Sequence, residues 1–238
     1  MFKEMLDVLM PRECLVCGRR LGAQESQLCI WCAADLPFTY YWESLWNPMA
    51  DAFNALLEQL RPEDMKLAYA PAAALLFYHH GNPYKMIPRA LKYGGRQDVG
   101  RYFGALLGRR LRSSVVFAGV DAVVPVPLSA LRHWRRGYNQ AAVLAGAVAR
   151  ELGARLCPHA LGRRRSRSQT SLSAKERLRN VRGVFYLRRG LPPGCRYVLL
   201  VDDTFTTGAT LSACYYVLRT ALGPEVRIGI ATLAAVQA

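Results

Sequence analysis

Two short constellations in this chain have residue types and spacing that could do chemistry. The first is "VLLVDDTFTTGAT", Val198 to Thr210. Four apolar residues read as a buried strand and run into two adjacent acids, Asp202 and Asp203. A small, hydroxyl-rich stretch follows: Thr204, Thr206, Thr207, Gly208, Ala209 and Thr210. In an open parallel sheet, ligands bind beyond the carboxyl ends of the strands. A helix that begins near Gly208 would offer free N–H groups and the positive end of its dipole to a phosphate. The acids would repel phosphate, but they accept hydrogen bonds from hydroxyls or hold Mg²⁺ through water. One ligand satisfies both demands: a sugar phosphate whose phosphate meets the loop and whose vicinal diol meets the carboxylates. A nucleotide P-loop would need a Lys after the glycine, and a dinucleotide fingerprint would need G-x-G-x-x-G; neither is present. A receiver domain also opens on a strand ending in two acids, but the roughly 35 residues after Asp203 are too few for the rest of one. The plain alternative is an acidic helix cap and a turn with no ligand.

The second constellation is Cys14-Leu-Val-Cys17-Gly18 and Cys29-Ile-Trp-Cys32, which takes four of the 7 cysteines. Thiolates two residues apart can point at one ion, and two such pairs close a tetrahedral Zn²⁺ shell with no position left for water. Gly18 suits the tight turn after a Cys pair, where positive φ is cheap only for glycine. A redox C-x-x-C is the rival, and a second pair so close would then be superfluous. Cys157, Cys195 and Cys214 lack partners at metal spacing and read as ordinary buried residues.

The elements that must position these residues follow from periodicity. Residues 1–45 form the cysteine module, residues 46–66 a helical linker ended by Pro62, and residues 67–238 an alternation of strands and helices. "LAYAPAAALLFYHHG", "VDAVVPVP", "RYVLLVDD" and "VRIGIATLAAV" read as strands. "PYKMIPRALKYGG", "DVGRYFGALLGRRL", "NQAAVLAGAVARELG" and "GATLSACYYVLRTALG" read as helices. Continuous apolar strands alternating with helices imply an α/β fold with a parallel sheet covered on both faces. The basic stretch from Arg163 to Asn180 carries no core pattern.

Composition narrows the partners. Of 238 residues, 52% are hydrophobic, enough for one good core plus a small module. The 32 Lys+Arg against 17 Asp+Glu leave a net charge of +15, which favours polyanions and phosphorylated ligands. The apolar start carries Glu4 and Asp7, unlike a secretory signal, and no apolar run approaches the ~18 residues of a membrane span. A cytoplasmic protein is expected, with its thiols reduced.

"VLLVDDTFTTGAT" resembles the phosphoribosyl pyrophosphate (PRPP) motif of type I phosphoribosyltransferases. The wider chain resembles the ComF family of competence-associated proteins. The likeness rests on the double C-x-x-C, "ALKYGGR" (Ala90 to Arg96), "PVPLSALRHWRRGYNQA" (Pro125 to Ala141) and "SQTSLSAKERLRNVRGVF" (Ser168 to Phe185), in that order. The resemblance implies a type I phosphoribosyltransferase-like sheet with a small N-terminal zinc ribbon. It implies that Asp202 and Asp203 receive the ribose hydroxyls and that Thr206 to Thr210 cradle the 5′-phosphate, with PRPP and Mg²⁺ as ligands. The loop after the Val123 to Val126 strand falls where such enzymes bind pyrophosphate, and Arg132, Arg135, Arg136, Asn139 and Gln140 belong to it. Ser168, Gln169, Thr170, Leu172 and Arg177 fall in the loop that closes over the site in such enzymes. Lys92 precedes two glycines and has no assigned role, and Trp134 and Tyr138 read equally as core or as a stacking platform, with core favoured for one of them. Base-using transferases often place an acid where this chain has Thr206, so no catalytic residue and no acceptor is assigned. The resemblance supports two readings: phosphoribosyl transfer, or binding of PRPP or single-stranded DNA without transfer, alongside other competence proteins. Oligomeric state is not read from the sequence.

Overall fold

A computed structural model describes residues 12–63, 65–79, 81–93, 95–164 and 183–236. Five parallel strands form one sheet in the order β1-β7-β6-β2-β3: β1 Ala72–Tyr78, β2 Ala122–Pro125, β3 Arg155–Leu156, β6 Tyr197–Phe205 and β7 Arg227–Val236. The four strands expected from apolar runs are all present; two-residue β3 is too short to leave a periodic signal. The helices are α1 Ile30–Ala34, α2 Pro48–Gln59, α3 Met86–Tyr93, α4 Gln97–Arg112, α5 Ala130–Arg136, α6 Gln140–Leu152 and α7 Ala209–Leu222. A separate antiparallel pair, β4 Leu161–Arg163 and β5 Phe185–Leu187, stands beside the sheet.

The sheet's alternation sorts side chains between two buried layers. Ala73, Leu75, Val123, Leu199, Val201, Ala231 and Leu233 face α4 and α6, where they meet Phe103, Leu107, Leu144 and Val148. Their strand neighbours Ala74, Val124, Val198, Leu200 and Ile230 face α2 and α7, where they meet Phe53, Leu57, Tyr215 and Leu218. Such two-faced burial is why the strands read as unbroken apolar runs.

Helix α4 carries Gly100, Gly104 and Gly108, an arrangement that costs about 1 kcal/mol per residue relative to Ala in an isolated helix. Packing explains it. A Cβ on Gly104 would stand 2.8 Å from Ala147 Cβ and 2.9 Å from the Leu144 carbonyl. One on Gly108 would stand 2.7 Å from Glu151 Cβ. The glycine edge lets α4 lie almost backbone to backbone on α6.

The cysteine module is continuous with the core, since Cys14, Leu28, Cys29, Leu36 and Trp42 share the α4/α6 layer. Its exit segment covers the edge of β1: Thr39 N–H donates to the Leu75 carbonyl at 3.1 Å and Phe77 N–H to the Pro37 carbonyl at 2.8 Å. An edge covered in this way is closed to foreign strands. The segment expected as a linker forms α2, which buries Met49, Ala50, Phe53 and Leu57 on the opposite layer. Among the described residues, no helix is long and apolar enough to cross a membrane.

Candidate functional site: a basic cleft at the carboxyl ends of the strands

Strand β6 does not stop at the acids. It continues through Asp202, Asp203 and Thr204 to Phe205, so the carboxylates stand on paired backbone. Phe205 is buried against Phe53, with ring centroids 6.3 Å apart, and locks the strand end to α2. The chain then turns through Thr206 to Gly208 and enters α7 at Ala209. Gly208 has φ +73°, and a Cβ there would also crowd the Phe205 ring at 3.1 Å. That left-handed residue turns the chain into α7 with no side-chain cap, so the helix N-terminus keeps its free amides.

These strand ends floor a cleft of about 790 Å³. Lys92, Arg132, Arg135, Arg136 and Arg163 line it, against two acids, Asp202 and Asp203. Lys92 reaches in from α3: its Nζ lies 3.2 Å from Asp203 Oδ1 and donates to Thr204 Oγ1 at 3.1 Å. Asp202 accepts from the Asp203 amide at 2.8 Å. Burial, and then the neighbouring Asp203 charge, push the Asp202 carboxyl up to about 7. Among the residues of the threonine turn, Thr210 lines the cleft, while Thr206 and Thr207 stand exposed at its edge.

The stretch after β2, expected as a loop, is instead the seven-residue helix α5. Ser129 caps its start, accepting from the Arg132 amide at 3.3 Å, and Gly137 ends it at φ +75°. About two turns of helix place Arg132, Arg135 and Arg136 on the cleft wall. Asn139 is doubly engaged: its amide donates to the Val126 carbonyl at 3.0 Å, and its oxygen accepts from the Ala141 amide at 3.1 Å. It pins the α5–α6 turn to the end of β2. Gln140 is 1% exposed. Its oxygen accepts from Arg136 at 3.0 Å, while its Nε2 is buried with no partner among the described residues.

Arg163 is a charged lining residue, among those described, to which the sequence assigns no role in the site. It enters from β4, with its guanidinium over the Phe185 ring at 5.2 Å. Burial, with Arg132 close by, presses its pKa below the usual range. Strand β4 is three residues long, too short for a period, so no sequence signal marked it. Trp134 and Tyr138 divide as expected: Tyr138 packs on the core and donates to the Leu91 carbonyl, whereas Trp134 is 82% exposed. Ser168, Gln169, Thr170, Leu172 and Arg177 lie outside the described residues.

The four cysteines converge, with all their sulfurs within 4.8 Å of one another. Four thiolates ~2.3 Å from a tetrahedral ion would stand about 3.8 Å apart. Cys17 Sγ and Cys29 Sγ are 3.7 Å apart, so the residues fit zinc. Burial works against a thiolate at Cys14, but amides of Cys29, Cys17 and Val16 outweigh it and bring the group to about 6. Cys32 moves upward, through burial first and then through the neighbouring sulfurs. Gly18 takes φ +72°, the conformation its position demanded. Arg96 and Gln27 both bond Asp98, at 2.8 and 2.9 Å, and each other at 2.9 Å, which ties the module to the first turn of α4.

No family model matches the chain. Among curated proteins, it is 33% identical over 148 residues to a DNA utilization protein YhgH of Escherichia coli O157:H7, covering 60% of each. It is 32% identical over 148 residues to Competence protein F of Haemophilus influenzae, covering 59% of this chain and 64% of that protein. It is 36% identical over 89 residues to Competence protein ComFC of Bacillus subtilis, covering 37% and 34%. The matches thus span about 60% of the length of the first two relatives. A solved structure described as the allosteric regulatory enzyme of purine biosynthesis aligns over 60% of this chain and 30% of its own, at 25% identity and TM-score 0.39.

Proposed function

We propose that this chain, a relative of the ComF competence proteins, binds PRPP with Mg²⁺ in the cleft and serves the handling of incoming DNA. The carrying observation is the pairing of two acids on β6 with an arginine wall on α5. Carboxylates that accept two hydroxyls suit a ribose diol, and forked guanidiniums suit a diphosphate. The orphaned Gln140 Nε2, buried in the cleft, is a donor suited to a phosphate oxygen. The open N-terminus of α7 is suited to the 5′-phosphate.

The donor set also suits Mg²⁺, which prefers oxygen ligands and keeps waters. Asp202 and Asp203 would hold it alongside the substrate's own oxygens, and it would supply neutralisation of the leaving diphosphate. The chain's residues do the rest. Asp202 and Asp203 orient the ribose, and Arg132, Arg135 and Arg136 stabilise charge on the departing oxygens. Lys92, already salt-bridged to Asp203, holds that carboxylate in position until the diol arrives. The cysteine cluster holds one structural Zn²⁺.

Calorimetry with ribose 5-phosphate and PRPP, Mg²⁺ present, tests this reading. Both ligands should bind, and Arg135→Ala should weaken PRPP about tenfold while leaving ribose 5-phosphate nearly unchanged. Binding of neither ligand would refute it. The net charge of +15 supports a second reading, single-stranded DNA binding without transfer. Absence of pyrophosphate release with every acceptor tried would favour it.

A further inference from the structure

The cleft continues into a second groove of about 790 Å³. Pro127, Leu128, Asn139 and Arg163 line both spaces, so the two adjoin across the turn that leaves β2. The far wall carries Trp134, Tyr186, His133, His159 and Arg188. Resting on the phosphoribosyl reading above, we propose that this groove seats the acceptor, and that the acceptor is a planar heteroaromatic carboxylate whose ring nitrogen bears no proton.

Three observations converge on that class. Among the described residues, the charged side chains of the groove are Arg163 and Arg188, joined by two imidazoles, and none of its lining is a carboxylate. A purine or other N–H acceptor is best held and deprotonated by a carboxylate, which neither the described residues of this wall nor Thr206 supply. Arg163 Nε is buried without a partner among the described residues, a donor available to an anion. The walls are also aromatic. Trp134 is 82% exposed, and Tyr186 lies so flat on bare Gly162 that a Cβ there would stand 2.4 Å from its ring. A flat ring with a carboxylate matches stacking surface and cations together.

The chemistry balances without a base. The lone pair of the ring nitrogen forms the bond to C1 of the ribose. The bond from C1 to the pyrophosphate oxygen breaks, and its electron pair leaves on pyrophosphate. No proton is lost, and the ring becomes a cation beside its own carboxylate.

Calorimetry in the presence of ribose 5-phosphate is the test, with pyridine-3-carboxylate and pyridine-2,3-dicarboxylate as probes against pyridine-3-carboxamide. The carboxylates should bind at least tenfold more tightly than the amide. Arg188→Gln and Trp134→Ala should each weaken them about tenfold while ribose 5-phosphate affinity stays unchanged. With PRPP and Mg²⁺, pyrophosphate should appear with a carboxylate and not with adenine. Equal binding of amide and carboxylate, or variants without effect, would overturn the proposal. So would carboxylate binding without pyrophosphate release, reaction of adenine with His133 or His159 as base, or occupation of the groove by an oligothymidine alone. If ribose 5-phosphate itself fails to bind, the phosphoribosyl reading falls first. If it binds and no carboxylate does, the acceptor proposal alone falls.

Discussion

The cysteine module and the basic cleft are built on opposite plans. The module's metal-type ligands come from Cys14 to Cys32, a span so short that spacing alone brings them together. The cleft draws Lys92 from α3, Arg132 from α5, Arg163 from β4 and Asp203 from β6. Lys92 and its partner Thr204 are 112 residues apart in sequence. A local site is specified by its own loop geometry, whereas a dispersed site exists only once the sheet has ordered its strands. The stretch "ALKYGGR" belongs to both plans. Lys92 turns into the cleft, and Arg96, four residues on, ties the cysteine module to α4.

The contrast breaks most visibly at the metal site. Cys14→Ser should abolish stoichiometric zinc, since a structural site supplies roughly 10–16 kcal/mol to folding. Because Cys14 and Cys29 share a buried layer with α4 and α6, the sheet should lose stability too, rather than the module alone. Elemental analysis and thermal unfolding check both effects. Metal retained at one ion per chain would remove Cys14 from the ligand set, and a sheet that melts as wild type would show the two regions to be independent.

A smaller effect is expected in the cleft. Asp203→Asn keeps shape but removes a charged acceptor, worth roughly 1.5–3 kcal/mol, so ribose 5-phosphate affinity should fall about tenfold or more. The same change frees Lys92, yet zinc content should be untouched. Calorimetry and metal analysis on one preparation separate the outcomes, and a loss of zinc would mean that the regions are coupled through α3.

The third effect is a pH dependence. Asp202 is raised to about 7 in the folded protein, against about 3.9 for an unperturbed carboxyl. Between those values the native state binds the proton more strongly than the unfolded chain, so stability falls as pH rises through this window. Asp202→Asn removes the penalty. Its melting temperature should therefore gain on wild type between pH 5 and pH 8, and a constant difference would show Asp202 to be ionised throughout.

Much of this protein was determined by the sequence itself. Apolar runs placed β1, β2, β6 and β7, because a strand buried on both faces can carry few polar residues. The two C-x-x-C pairs marked the sulfur cluster, and the acids followed by the threonine–glycine turn marked the strand end that floors the cleft. Tertiary structure alone decided the rest. β3, β4 and β5 are too short for a period, so Arg163 entered the cleft unannounced. The pyrophosphate-side arginines sit on a helix where a loop was expected, because Ser129 and Gly137 cap about two turns that periodicity does not resolve. Asn139 is spent on the backbone of β2 and Gln140 is left with an open donor, and their neighbouring positions in the sequence do not distinguish them. The three glycines of α4 read as weaknesses in a helix until α6 lies against them. Each of these depends on which surfaces meet, and that is set by the order β1-β7-β6-β2-β3 rather than by any stretch of neighbouring residues.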